Sequence, residues 1–95
     1  MLEQLKSYLK ITWNDDDALL QSLIARGQDF LNDIAGIKLN FEADTKANQL
    51  LMDYGRYAYN HSLEMFEINF KRELLKLSIR EGVKAHVAAT TETSS

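Results

Sequence analysis

Neither cysteine nor proline occurs in this 95-residue chain, and glycine occurs only at Gly27, Gly36, Gly55 and Gly82. Without cysteine there is neither a disulfide framework nor a thiolate metal site, which suits a reducing compartment. Without proline nothing forces helical backbone to break, so long helices are favoured. No apolar run approaches the roughly 20 residues that span a bilayer. Met1 is not followed by the basic and then apolar segment of a secretory leader, so the expectation is a soluble protein without membrane contact. Strong basic charge is missing too. The net charge of −3 argues against generic nucleic-acid binding, which needs a basic surface to displace counterions. The acidic excess lies in the first half, with six Lys/Arg against nine Asp/Glu from Met1 to Asn60 and five of each from His61 onward.

What is present is helical periodicity. Leu2, Leu5 and Leu9, with Tyr8 alongside, make a short amphipathic helix. Asn14 or Asp15 then offers an N-cap, and the remaining aspartates of Asp15-Asp16-Asp17 sit in the first turn, where free amides and the helix dipole favour carboxylates. Leu20, Leu23, Ile24, Phe30, Leu31 and Ile34 continue the helical spacing until Gly36 stops it in a left-handed conformation. Ile37 to Ala43 reads as a loop tucked against the bundle. Asp44 or Thr45 opens the next helix, with Ala47, Leu50, Leu51, Tyr54 and Ala58 inward. Gly27 and Gly55 fall inside helices, where each costs about 1 kcal/mol relative to alanine, so close helix–helix approach is expected at both.

Tyr59, Leu63, Phe66, Phe70, Leu74 and Leu77 step by three or four and form one apolar stripe. The residues between Asn60 and Asn69 fit both a continuous helix and a break. Asn69 can cap a last helix over Phe70 to Glu81, ended by Gly82. Beyond it Val83, Ala85, Val87 and Ala89 alternate with Lys84, His86, Ala88 and Thr90, a period of two that predicts an extended strand. The expected fold is therefore an all-α compact bundle of about four helices over residues 1–82. An extended, flexible C-terminal tail over 83–95 would follow it.

No residue set points to catalysis. Asp15, Asp16 and Asp17 lack the glycine turn and distal glutamate of a calcium loop, so helix capping is the better reading. His61 and Glu64 have metal-pair spacing in the order His-x-x-Glu, whereas di-iron bundles use Glu-x-x-His twice. The serines lie in no strained nucleophile turn, and no glycine-rich phosphate loop exists. Tyr54, Tyr57 and Tyr59 beside Arg56 suggest half-buried helix residues rather than a base-stacking platform. The expectation is no enzyme activity, no metal and no cofactor. The candidate interface residues are Val83, Ala85, Val87 and Ala89 as a docking strand that adds to the edge of another chain. Arg72 and Arg80 join them on the charged last helix, with Asp15, Asp16 and Asp17 on the acidic side that a neighbour's cations would meet.

The order LEQLKSYLKI, loop, DDDALLQSLIARGQDFLNDIAG, then LLMDYGRYAYNHSLEMFEINFKRELLKLSI resembles the small head–tail connector (adaptor) proteins of tailed bacteriophages and prophages. The resemblance covers about Leu2 to Gly82 and rests on the order and spacing of helices that are individually common. It implies a structural virion protein that assembles as a ring under the portal after genome packaging. Such a ring extends the DNA channel and docks the next neck or tail component. The implied partners are the portal protein, neighbouring copies and a downstream tail protein, with DNA passing unbound. The implied location is the head–tail interface of the virion, with host cytoplasm during assembly. The alternative reading is a small cytoplasmic helical protein-binding module or regulator.

Overall fold

The structure, a computed structural model, describes the backbone of residues 1–94 and the side chains of residues 1–84. Its described residues form five helices and no strand: α1 (Leu2–Leu9), α2 (Asp17–Ala35), α3 (Thr45–Tyr59), α4 (Leu63–Asn69) and α5 (Lys71–Ser94).

Local chemistry sets each boundary. Lys10 takes a left-handed φ of 61° after α1. There the Ile11 amide donates to the Lys6 carbonyl and the Lys10 amide to Ser7, the two bonds of a Schellman end, and Ile11 is buried beneath it. Gly36 ends α2 at φ 74°, as expected. The Asn32 carboxamide then accepts from the Leu39 amide and ties the following loop down. In that loop Leu39 and Phe41 are buried, while Ile37 stays exposed. Asp44 caps α3 by accepting from the Ala47 amide at 3.1 Å. A second Schellman end closes α3: the Ser62 amide reaches Tyr57, the His61 amide reaches Ala58, and His61 sits at φ 57°. The chain thus breaks after Tyr59 and again at Phe70, and the last helices are shorter and longer than their periodicity suggests.

Three sequence expectations are corrected. The N-cap of α2 is Asp16 rather than Asn14 or Asp15, and its carboxylate is used elsewhere. The bundle has five helices among the described residues because the single stripe is folded over two breaks. The strand expected over Val83 to Ala89 is helix, since α5 passes through Gly82 without interruption. A lone strand has no edge to pair with, whereas extending an existing helix adds one hydrogen bond per residue fixed. Helical backbone also separates Val83 and Val87 from Ala85 and Ala89, since alternate residues share a face only in a strand.

Two glycines let the helices meet. A Cβ on Gly27 of α2 would stand 2.8 Å from the Tyr54 ring and 2.7 Å from Leu51 of α3; one on Gly55 would stand 2.9 Å from Leu5 of α1. Phe66 is fully buried at the centre of an aromatic cluster, with ring centroids 4.9 Å from Phe70, 5.6 Å from Tyr54 and 5.8 Å from Tyr57. The broken stripe therefore still converges on one core, with Leu74 and Leu77 of α5 completing it. Extents of 55 × 24 × 17 Å and a radius of gyration of 15.3 Å exceed the ~12 Å of a compact chain this long. A 24-residue α5, about 36 Å in length, accounts for the elongation.

Candidate interaction surfaces

The polar residues most suggestive of a site are mostly engaged inside the fold. Asp16 accepts from Trp13 Nε1 at 3.0 Å and from the Tyr59 hydroxyl at 2.7 Å. These two bonds hold its carboxyl below the usual aspartate range, and the carboxylate in turn raises the Tyr59 phenol. Asp17 pairs with the buried Lys6 at 2.8 Å, and Lys6 also donates to Asn14 at 2.7 Å. The aspartate run is thus a latch between α1, α2 and α3. Only Asp15 of the three is an exposed acid.

A second knot joins α3 to α5. Arg80 Nη2 lies 2.6 Å from Asp44 and its Nε 3.0 Å from Glu81, which Lys84 also meets at 3.1 Å. Burial works against ionisation of Asp44, but bonds from the Ala47 amide and from Arg80 outweigh it and leave its carboxyl below the ordinary value. Asp44 therefore caps one helix and anchors another. A third group centres on buried Asp53, which accepts from Tyr8, Gln49 and Arg56. Arg56 also lies over the Tyr57 ring at 4.8 Å, a cation–π contact. Tyr57, Tyr54 and Tyr59 are accordingly packing residues.

What remains at the surface is a groove and two helix faces. The groove, about 430 Å³, runs between α3 and α5, floored by Leu50, Phe70 and Leu77 and rimmed by Lys46, Asp53 and Glu73. Leu75, Ile79 and Val83 are each more than half exposed along α5, and Ile68 of α4 is the most exposed large apolar residue described. Arg72 is exposed among them. Of the interface residues expected from sequence, Arg72, Val83 and Asp15 lie on the surface, whereas Arg80, Asp16 and Asp17 are tied into intrachain contacts. The side chains of Ala85, Val87 and Ala89 lie outside the described residues. Leu75 and Ile79 escaped the sequence reading, although their four-residue steps to Val83 were the available signal.

Among the described residues no group of three or more His, Asp or Glu side chains is placed to hold a metal, and no helix is long and apolar enough to cross a membrane. The described surface of this small all-α body leaves large apolar residues of α4 and α5 uncovered, the kind of surface that marks interaction sites. The family model for phage gp6-like head-tail connector protein matches residues 1–87, and the chain belongs to that family. Membership supports a structural connector role in a phage. Comparison with curated proteins and with solved structures gives no significant match.

Proposed function

We propose that this chain is a head–tail connector subunit that forms a ring beneath the portal, extends the DNA channel and offers a docking surface to the next neck or tail component. The observation that carries the reading is the family match across nearly the whole chain. The uncovered faces of α5 and α4 support it, because a small domain exposing large apolar side chains gains stability from neighbours. DNA passes without specific binding: the net charge of −3 disfavours tight hold on phosphates. Docking by strand addition falls away with the strand itself, and α5 beyond Gly82 takes over as a helical docking segment.

Electron microscopy of the cognate portal ring, with and without the protein, tests this. The expected result is an added ring of density on the tail-facing end. A competent portal that stays bare at saturating protein would refute the connector assignment and favour a regulatory binding module.

A further inference from the structure

The buried residues of α5 are Leu74, Leu77 and Glu81. At 100° per residue, the opposite side carries Arg72, Ile79 and Val83, flanked by Leu75, Lys76 and Lys71. All six are exposed. This outward face holds no carboxylate among the described residues: Glu81 is buried, and Glu73 is turned about 100° from Arg72 toward the groove, whose edge Lys76 shares. Its chemistry is an apolar strip with cations at the N-terminal end. Such a strip calls for an acidic partner with room for large side chains. Duplex DNA would supply the charge but leave Leu75, Ile79 and Val83 against phosphates.

The chain itself offers the complement. The buried side of α2 is Leu20, Leu23, Ile24, Gly27 and Leu31. Opposite them lie exposed Ala18, Ser22, Ala25, Asp29 and Asp33, three small residues followed by two carboxylates. Arg72, Lys76, Asp29 and Asp33 form no ion pair among the described residues. Laid antiparallel, the two faces match in register. Arg72 meets Asp33, Lys76 meets Asp29, Ile79 covers Ala25 and the stem of Arg26, and Val83 covers Ser22. The steps of four, three and four from Arg72 through Lys76 and Ile79 to Val83 are matched by Asp33, Asp29, Arg26 and Ser22, so these pairings share one register, with Ala25 one residue, about 1.5 Å of rise, beyond the Arg26 stem. Small side chains on α2 let the helices approach closely.

Within one chain α2 and α5 pack through their opposite, buried sides, so these two faces cannot meet there. We propose that the outward face of α5 docks antiparallel on the outward face of α2 of a second copy of this chain. Because the surfaces differ, the contact is head-to-tail and repeats, closing into a ring when the rotation allows. The ring as its product rests on the connector reading; the contact is testable by itself.

The absence of cysteine makes the test clean. Chains carrying Val83→Cys alone and Ser22→Cys alone would be mixed and oxidised, free in solution and bound to portal rings. The expected product is a mixed disulfide between the two variants, dominant over either homodimer. Arg72→Glu with Lys76→Glu in the Val83→Cys chain should abolish it, and Asp29→Lys with Asp33→Lys in the other should restore it, with circular dichroism unchanged throughout. Predominant Val83–Val83 linkage, or no mixed linkage in portal-bound assemblies, would overturn the interface while leaving the connector reading intact. Mixed linkage in a protein that never decorates the portal would do the reverse.

Discussion

Asp44 carries two duties in one carboxylate, the N-cap of α3 and the anchor of Arg80. Replacing it by alanine should cost about 2 kcal/mol, roughly 1 for the cap and the rest for the half-buried pair. Asp44→Asn should lose less, because the amide oxygen still caps. Denaturant titration distinguishes the two. The pH dependence follows from the lowered Asp44 value: on acidification the unfolded chain takes up the proton first. Its contribution is complete above the ordinary 3.8 and disappears as pH falls through the lower folded value. Asp44→Ala should flatten that part of a stability–pH profile. Glycine gives a paired contrast. Gly27→Ala gains about 1 kcal/mol of helix propensity but drives a Cβ against the Tyr54 ring, and overpacking typically costs 1–3 kcal/mol. Net destabilisation is expected. Gly82→Ala, with nothing within 4 Å, should raise stability by about 1 kcal/mol, and thermal melts of the two variants would show opposite shifts.

At the level of elements, the segment after Gly82 is the continuation of α5. Cutting the chain after Gly82 should leave α5 at half its length, with Leu74, Leu77 and Glu81 still packed. The helical circular dichroism signal should fall in proportion while cooperative unfolding survives, and portal decoration should be lost. Normal decoration by the truncated protein would remove docking from the end of α5. The Schellman end after α3 and the break at Phe70 show why the long stripe does not stay on one helix. His61 at φ 57° turns the chain so that Phe66 enters the aromatic core, a burial worth more than one continuous helix would recover.

For the whole molecule, the proposed assembly would couple to stability. Ile68, Leu75, Ile79 and Val83 stay uncovered in the isolated chain, so a neighbour that covers them stabilises the fold by mass action. The melting temperature should rise with protein concentration, or on portal binding, in the native chain. It should become concentration-independent in Arg72→Glu/Lys76→Glu. Scanning calorimetry over a dilution series measures this, and a flat native series, with and without portal, would count against assembly-linked stability.

Composition and periodicity alone determined the helical class, the inward positions of each helix, the Gly36 stop, the Asp44 start and the close approaches at Gly27 and Gly55. These depend on neighbours three or four residues away, which spacing records. The family resemblance was legible for the same reason, since it lies in the order of such helices. Tertiary structure alone decided which charges remain for a partner. Arg80 finds Asp44, Tyr59 finds Asp16 and Tyr8 finds Asp53 across 36, 43 and 45 residues, separations at which local pattern carries no signal. It also decided the state of Val83 to Ala89. Alternation reads as a strand only where another edge can pair with it, and here the existing helix supplied the backbone's hydrogen bonds instead.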